Sequence, residues 1–388
     1  MNLMLKYIPH FFLCALFFVA ACSSPKNQFE KGNYEKAVQL SINKLRKKPT
    51  NEKQQSILKA AYGYAVKVSA QKIALYQQSK DRFKWDNIID QYRQMQTLYG
   101  ELLQCPGCLA VVTPVDYQSE LNEALLQGAR VYVEEGKQAL KAQTKASGRN
   151  AFYFFSKAKS YSNNYANIDR YLDQAKQLGT EIIGLTRIPV ASKGLEINSA
   201  FFLQQLTQAL NALGYRFAVF YPLESLGPKG NNQEALPPPD QIIDLSFDDY
   251  FIGQTFLKET RETVVRDSVR VGEITDSLGV KIPVFGTVEA DLQRFEKTLE
   301  SGGLLNIAII DPTSRTPLFQ RKIPSTYVWT NDWMTYQGDK RALTEEELDQ
   351  TKNKELLPPA PQDLFYAFTR PLFEQTLTTL RRHYRPLR

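Results

Sequence analysis

Histidine is scarce in this chain, which contains only His10 and His383 among its 388 residues. Because we expect the segment that holds His10 to be removed, His383 is the one imidazole of the mature protein. A single imidazole excludes a histidine-rich zinc site and a helix-borne pair of zinc-binding histidines. Cysteine is scarce as well, and four residues in a chain of this length exclude a disulfide-knot scaffold.

The motifs of common enzyme classes are absent too. The chain has no nucleophile elbow, no phosphate-cradling glycine loop and no dinucleotide fingerprint. A Ser-His-Asp arrangement would have to recruit His383 from the last helix. The sequence therefore predicts a protein that is not an enzyme, with no catalytic residues, no cofactor and no bound metal.

What is present is the composition of an ordinary folded protein. Apolar residues make up 43% of the chain, beside 20 glycines and 20 prolines, and this excludes wholesale disorder, collagen and a coiled-coil rod. The length corresponds to roughly two domains of about 100–200 residues each. Charge is divided unevenly: residues 22–180 hold 24 basic and 14 acidic side chains, whereas residues 181–388 hold 23 and 27.

The amino terminus has the pattern of an export signal. Lys6 is the only charged residue before an apolar run from Phe11 to Ala21. As a helix this run would span about 16 Å, against about 30 Å for the hydrocarbon core of a bilayer, so a signal segment is favoured over a membrane span. No later stretch approaches the length of about 18 apolar residues that a span needs.

The end of this run, Val19-Ala20-Ala21-Cys22, resembles the bacterial lipoprotein signal. The resemblance implies a lipoprotein signal peptide at residues 1–21, a diacylglyceryl thioether on Cys22, and a mature chain held to a bilayer by acyl chains such as palmitate. The alternative is a plain secretory peptide whose Cys22 ends up free or disulfide-bonded. Residues 23–27 lack acidic side chains, which by resemblance favours a periplasm-facing position on the outer membrane.

Cys105 and Cys108 are the remaining thiols once Cys14 leaves with the signal. A zinc site needs four ligands, and no second cysteine pair exists. An oxidising periplasm favours a disulfide between the two. Two free thiols and an active oxidoreductase are the alternatives, although thioredoxin-type enzymes place their pair at a helix start after a strand, whereas this pair follows a predicted helix.

Residues 22–180 are predicted to form a helical domain. Gly32, Tyr34, Ala37 and Pro49 resemble the turn, second helix and closing proline of a tetratricopeptide repeat. Apolar residues recur at alternating steps of four and three, for example over Ile88–Leu102, and place one apolar stripe on each helix. The resemblance and the stripes predict a repeat-like helical solenoid or bundle.

Two features of this domain allow more than one interpretation. Its many aromatic side chains either fill gaps between helices or line a concave groove for a peptide. Its basic residues, such as Arg46-Lys47-Lys48, either complement the dipole at a helix end or rest against anionic lipid headgroups.

Residues 181–388 are predicted to form an α+β domain with an antiparallel sheet. Alternating residues predict long hairpins, and a capping box marks a helix start at Thr344 and Glu347. The predicted elements are strands at 181–185 and 215–220, a helix at 198–213 capped by Asn198 or Ser199 and ended by Gly214, a hairpin of 254–271 with 284–299, a hairpin of 304–311 with 317–323, and a last helix with Pro371 in its first turn.

The segment Glu181–Ile323 contains Leu213-Gly214-Tyr215, a motif at residues 248–253 and Ile309-Ile310-Asp311. With these motifs it resembles the periplasmic α+β domain of the curli secretion channel lipoprotein and of the lipoprotein activators of penicillin-binding proteins. It implies a role in secretion or in the regulation of cell-wall synthesis. The charge-dense strands 254–271 and 284–299 depart from the family pattern, because such charge does not suit the lipid face of a pore.

An aromatic segment near position 330 is the candidate binding surface. Aromatic faces beside amide, carboxylate and guanidinium groups suit a glycan or a protein partner. The candidate residues are Tyr327, Trp329, Asn331, Trp333, Tyr336, Asp339 and Arg341. The alternative is a tryptophan-anchored loop packed over a small sheet, with Asp339 paired to Arg341.

Together these features predict a lipid-anchored envelope protein that acts as a non-catalytic scaffold or adaptor in envelope assembly or export. Its expected partners are the membrane, reached through the lipid, and envelope proteins, among them one associated with peptidoglycan. Nucleic acid is not an expected partner, because an exported lipoprotein rarely meets any and the sequence shows no binding motif. The alternative function is a regulator of cell-wall synthesis, or a secretion component, that acts through the α+β domain.

Overall fold

A computed structural model describes residues 24–190, 193–226 and 237–388. The predicted signal peptide and Cys22 lie outside the described residues. The chain divides into two compact units. The helical unit comprises the described residues up to Gln143 together with Asn150–Ala175, and the α+β unit comprises Thr144–Arg149 and the described residues from Lys176 to Arg388.

The prediction that the first part of the chain is helical is confirmed. The helices are α1 (Pro25–Glu30), α2 (Tyr34–Lys47), α3 (Glu52–Gln78), α4 (Lys84–Leu103), α5 (Pro106–Leu109), α6 (Gln118–Leu140), α7 (Lys145–Tyr161) and α8 (Ile168–Gly179). Gly32 has a φ of +78° before α2, a left-handed conformation that glycine adopts without a steric penalty. Pro49 follows the end of α2, where a proline cannot continue the helix.

Apolar spacing explains how these helices pack. On α4, Ile88, Met95 and Leu102 are all buried, because steps of three and four residues keep them on one face of the helix. Leu102 belongs to a core that α2, α3, α4 and α5 share, whereas Ile88 and Met95 belong to a second core with residues of α3 and α6. The apolar stripe of α4 therefore packs into two neighbouring core clusters, one near each end of the helix.

The α+β unit contains one mixed sheet of five strands in the order β2-β1-β3-β4-β5. The strands are β1 (Glu181–Leu185), β2 (Ala218–Pro222), β3 (Gln241–Thr275), β4 (Lys281–Ile310) and β5 (Pro317–Gly338). The helices are α9 (Lys193–Ala212), α10 (Glu345–Gln350) and α11 (Pro361–His383). The predicted hairpins are confirmed as the antiparallel pairs β3–β4 and β4–β5.

The prediction of an antiparallel sheet is wrong at one edge. β1 pairs in parallel with both β2 and β3. The chain leaves β1, forms α9 and returns as β2 in the same direction, and such a crossover through a helix makes neighbouring strands parallel. The sequence showed the strand, helix and strand of this unit, but their mutual direction depends on which strands become neighbours.

The predicted start of α9 is also wrong. The helix begins at Lys193, so Asn198 and Ser199 lie inside it. The buried Ser199 hydroxyl donates a 2.6 Å hydrogen bond to the carbonyl of Ile188, and the Asn198 amide donates one of 3.1 Å to the carbonyl of Gln362 on α11. Both polar side chains therefore make tertiary contacts in place of a cap. Gly214, with a φ of +65°, follows this helix as predicted.

At the carboxyl end, the Thr344–Glu347 capping box is confirmed, but Pro371 lies inside α11 and not in its first turn. Pro361 takes the first-turn position, where its missing N–H costs nothing. The buried side chains of Leu364 and Phe368 precede Pro371, and their packing keeps the earlier segment helical despite the hydrogen bond that Pro371 cannot donate. Helix α11 packs on β3, β4, β5 and α9.

Candidate interaction surface

The β3–β4 hairpin extends beyond the rest of the sheet. β5 pairs with β4 only from Ala290 to Ile310. From Val265 to Glu289, β3 and β4 pair with each other and with no other strand in the ranges 24–190, 193–226 and 237–388, and we call residues 265–289 the β arm. At about 3.3 Å per residue the arm is about 30 Å long. A two-stranded ribbon is marginally stable in water, so a partner that covers the β arm would stabilise it.

A hydrogen-bonded turn closes the tip of the β arm. One carboxylate oxygen of Asp276 accepts 2.9 Å hydrogen bonds from the backbone N–H groups of Leu278 and Val280. The backbone N–H of Asp276 donates one of 3.0 Å to the carbonyl of Val280. Gly279 has a φ of +82°, which a residue with a side chain rarely adopts. The turn therefore holds Leu278 in a defined position.

The tip of the β arm is apolar on one face. Ile274 lies opposite Ile282, and Gly272 lies opposite Val284, two residues further along each strand. Since side chains alternate across a strand, these four positions share a face and Glu273 and Lys281 occupy the other. Leu278 is 86% exposed, Ile274 58% and Val280 56%. Exposed aliphatic side chains concentrated at one end of an element are typical of an interaction site.

The base of the β arm is covered on the same face. Val288, Ala290 and Leu292 form a buried cluster with Ala342 and Leu343, which lie just before α10. The apolar face is therefore continuous along β4, and the residues that the structure describes cover only its inner half.

Arginine side chains reinforce this covering segment. Arg294 on β4 forms ion pairs with Glu262 at 2.6 Å and with Glu347 of α10 at 2.8 Å. Arg341 donates a 2.6 Å hydrogen bond to the carbonyl of Arg270 on the β arm. The pKa of Glu347 is lowered by its hydrogen bonds with Thr344 and by Arg294, so the carboxylate stays charged at neutral pH.

The free edge of β3 carries features that oppose pairing with another strand. β3 pairs with β1 only at Gln241–Ile243, so from Asp244 onward its outer edge has no strand partner among the described residues. The β3–β4 register shifts at four places where β3 holds extra residues, two of them in the β arm at 266–269 and 270–272. Bulges and charged side chains on an edge strand hinder strand addition. The apolar face of the tip is therefore the better interaction site.

The aromatic segment near position 330 belongs to β5, so the alternative of a tryptophan-anchored loop is wrong. Tyr327, Trp329, Asn331 and Trp333 occupy alternate positions and share one face. The Trp333 ring stacks on Phe295 of β4 with 5.1 Å between centroids. Packing against the neighbouring strand explains why residues of high β propensity form a strand here and not a loop.

Asn331 joins this face to the segment after α10. It is only 8% exposed. Its Oδ1 accepts a 2.8 Å hydrogen bond from the backbone N–H of Leu356, and its amide nitrogen donates one of 3.5 Å to the carbonyl of Lys354. The Asn331 side chain thus fixes a neighbouring chain segment in place.

The other three candidate residues lie elsewhere. Tyr336 occupies the opposite face of β5, across from Leu292. Asp339 and Arg341 follow the strand and form the expected ion pair. The Arg341 guanidinium holds the pKa of Asp339 at about 2. The structure therefore divides the seven predicted residues between two faces and a turn, and it does not bring them together on one surface.

Sequence reasoning missed the tip of the β arm. The available signal was Ile274, Leu278, Val280 and Ile282 around an Asp-Ser-Leu-Gly turn. In the sequence, these apolar residues cannot be distinguished from buried core residues, because the sequence does not show which elements cover them. Only the end of β5 pairing at Ala290 shows that they are left exposed.

Cys105 and Cys108 form a disulfide. Both residues are fully buried in the core that α2–α5 share, and a Cβ atom on Gly107 between them would lie 2.7 Å from the Cα of Pro49. Thiol exchange requires an accessible sulfur. In this environment the disulfide contributes to packing. Among the described residues, no group of His, Cys, Asp and Glu side chains could hold a metal ion.

A polar cluster lies inside the helical unit. Asp86 at the start of α4 accepts hydrogen bonds of 2.7 Å from the Tyr132 hydroxyl and of 2.8 Å from the Tyr161 hydroxyl. Burial and these bonds to Asp86 raise the pKa of both tyrosines. The cluster connects α4, α6 and α7 and satisfies its own polar groups, so it has the properties of a structural network.

Comparison with known proteins adds little to this description. No family model matches the chain, and no curated protein matches it. A solved structure described as a putative neuraminyllactose-binding hemagglutinin homolog from Helicobacter pylori is 9% identical to this chain. The similarity covers 52% of this chain and 83% of the chain in that structure, with a TM-score of 0.23. A similarity this weak supports no argument about function. Within the described ranges, no helix has the length and apolar character needed to cross a bilayer.

Proposed function

We propose that this protein is a lipid-anchored, periplasm-facing component of the outer membrane that acts as a non-catalytic scaffold in envelope assembly or export. The observation that carries the proposal is the β arm, a projecting ribbon whose apolar tip is left uncovered by the described part of the chain. The lipoprotein-like sequence at Val19–Cys22 supports the membrane anchor. An anchored molecule with an exposed arm can hold other envelope components near a membrane.

The helical unit provides a second contact surface in this proposal. We infer a tetratricopeptide-like helix pair near its start, supported by the left-handed Gly32, by α2 and by Pro49. Paired helices of this kind stack into extended surfaces that bind proteins. The basic excess of residues 22–180 suits acidic partners or anionic headgroups.

The second candidate function is regulation of cell-wall synthesis, or secretion, through the α+β unit. It is favoured by the position of the β arm, which belongs to this unit and not to the helical one. The partner would then be a synthase or secretion subunit, or a protein associated with peptidoglycan.

The anchor can be tested by mass analysis of Cys22 after treatment with globomycin, which blocks lipoprotein signal cleavage. We expect an acylated Cys22 in untreated cells and an uncleaved precursor in treated cells. An unmodified Cys22 in untreated cells would contradict the anchor.

The scaffold role can be tested with a photo-cross-linking amino acid on the β arm in the native envelope. Val265, on the shaft of the arm and 60% exposed, is the test position, and Leu318, at the other end of the sheet and 52% exposed, is the matched control. We expect protein adducts from Val265 and none from Leu318. Adducts with synthase or secretion subunits would favour the second candidate, and equal labelling at both positions would refute a specific role of the arm.

A further inference from the structure

We propose that the tip of the β arm inserts shallowly into a lipid bilayer, with Leu278 and Val280 entering first and Ile274 and Ile282 behind them. The inference rests on the proposed function, which places the chain at a membrane. It adds a second membrane contact that does not depend on the acyl chains at Cys22.

The chemistry of the tip suits the boundary between headgroups and acyl chains. The four residues are aliphatic, and all four are exposed to solvent. Bilayer contact removes this apolar surface from water, which is favourable in proportion to its area. The sequence between Asp276 and Lys281 contains no other charged residue. Asp276 is the one charged residue of the turn 276–280, and its carboxylate accepts hydrogen bonds from two backbone N–H groups, so a shallow insertion that keeps this carboxylate at headgroup level is the favourable one.

The backbone N–H groups of Asp276, Leu278, Gly279 and Val280 are already paired within the turn. The backbone N–H groups of Leu278 and Val280 donate to the carboxylate of Asp276, and the backbone N–H of Asp276 donates to the carbonyl of Val280. Unpaired backbone groups are the main cost of placing a non-helical segment in an apolar medium, and internal hydrogen bonds reduce that cost.

Charged residues lie where headgroups would meet them. Glu273 and Lys281 occupy the face opposite Ile274 and Ile282, and Glu273 pairs with Arg270 and, at 3.5 Å, with Lys281. The exposed Phe285 lies on the same face as this charged pair, and charged groups that flank exposed apolar side chains are typical of elements that lie at a membrane interface. Shallow insertion would bury the aliphatic side chains and leave these ion pairs in water.

The amount of apolar surface favours lipid over a protein partner at the tip. Four partly exposed aliphatic side chains offer roughly 300 Å² of apolar area, whereas each partner in a stable protein interface buries about 450 Å² of non-polar surface within a total of about 800 Å². A second copy could add area by pairing with β3, but the bulges at 266–269 and 270–272 oppose strand addition. A fluid bilayer needs no complementary surface.

A fluorescent probe at the tip tests the inference in the full acylated chain. Leu278→Cys is labelled with an environment-sensitive dye, and the chain is placed in vesicles of equal parts phosphatidylethanolamine and phosphatidylglycerol. Cys105 and Cys108 are disulfide-bonded, and mass analysis confirms a single label at position 278. The matched control is Leu318→Cys, an exposed leucine at the far end of the sheet.

We expect a blue shift of emission at position 278, quenching by nitroxide-labelled lipids and loss of quenching by aqueous iodide, with none of these changes at position 318. Adding Val280→Asp to the labelled chain should abolish the lipid quenching. A label at 278 that remains open to iodide and insensitive to nitroxide lipids would overturn the inference. A blue shift without vesicles that grows with protein concentration would overturn it too, because a second copy would then cover the tip.

Failure of the anchor is a separate result. If Cys22 proves unacylated, vesicles are added to the labelled soluble chain and quenching at position 278 is measured as before. Lipid quenching would then support tip insertion without the anchor, and its absence would refute both.

Discussion

The backbone N–H of Leu356 donates a 2.8 Å hydrogen bond to the side chain of Asn331. The relationship joins an extended segment after α10 to a nearly buried residue of β5. The segment belongs to no strand, so the Asn331 side chain supplies the acceptor that a neighbouring strand would otherwise provide for the Leu356 N–H.

Replacing Asn331 by alanine should destabilise the α+β unit by about 1–3 kcal/mol, because the N–H of Leu356 would lose its acceptor. Urea unfolding monitored by tryptophan fluorescence measures the change, since Trp329 and Trp333 lie on the same strand. Thr330→Ala, at an exposed position of that strand, is the control and should leave stability nearly unchanged. Equal effects of the two substitutions would contradict the role assigned to Asn331.

Removing the charge of Asp86 should weaken the helical unit. Asp86→Asn should cost about 1–3 kcal/mol of unfolding free energy, because hydrogen bonds to a carboxylate are stronger than those to an amide. It should also lower the pKa of Tyr132 and Tyr161, which the Asp86 carboxylate helps to raise. Thermal unfolding and a titration of phenolate absorbance measure the two effects. An unchanged titration would show that the hydrogen bonds at 2.7 and 2.8 Å do not persist in solution.

Acidification should destabilise the α+β unit through His383. Burial lowers the pKa of His383 below 6.5, beside the rings of Phe319 and Tyr384. The unfolded chain then binds more protons than the folded one as the pH falls below about 6.5, so stability is lost in that direction. Urea unfolding at about pH 7.5 and about pH 5.5 should show the loss, and His383→Gln should reduce it. If the unsubstituted protein and the His383→Gln variant showed the same pH dependence of stability, other titratable groups would be its cause.

Two glycines in helices should respond oppositely to alanine. A Cβ atom on Gly136 of α6 would lie 2.5 Å from the buried ring of Phe155, whereas one on Gly63 of α3 would meet nothing within 4 Å. Gly136→Ala should therefore destabilise the helical unit by about 1–3 kcal/mol through overpacking. Gly63→Ala should stabilise it by about 0.5–1 kcal/mol, because alanine has the higher helix propensity. Thermal unfolding of both variants checks the pair, and stabilisation by both would show that the Phe155 ring can move.

Local sequence signals predicted most elements. Apolar steps of three and four located the early helices, and alternation located β1 and the β3–β4 hairpin. Gly214 and the Thr344–Glu347 capping box marked helix ends because their conformations depend on neighbouring residues only. These features needed no knowledge of the tertiary structure.

The errors share one physical cause. Ser199 suits a helix cap, but a hydrogen bond to the carbonyl of Ile188 places it in the core. Pro371 suits a helix start, but packing of α11 on the sheet continues the helix through it. Trp333 suits the tryptophan-anchored loop that was the alternative for this segment, but stacking on Phe295 makes it part of a strand. In each case a distant contact outweighed a local preference, and one sequence does not reveal such contacts.

The two strands of the long hairpin differ in how they accommodate extra residues. β3 absorbs its additional residues in bulges, whereas β4 keeps a regular alternation while it pairs with a strand on each side. An insertion of one residue in the shared part of β4 would turn every later side chain to the wrong face against both neighbours. Insertions and deletions of single residues, in natural or engineered versions, should therefore be tolerated along β3 but should disrupt folding along β4. The length of β4 thus determines the register of the strands on both of its sides.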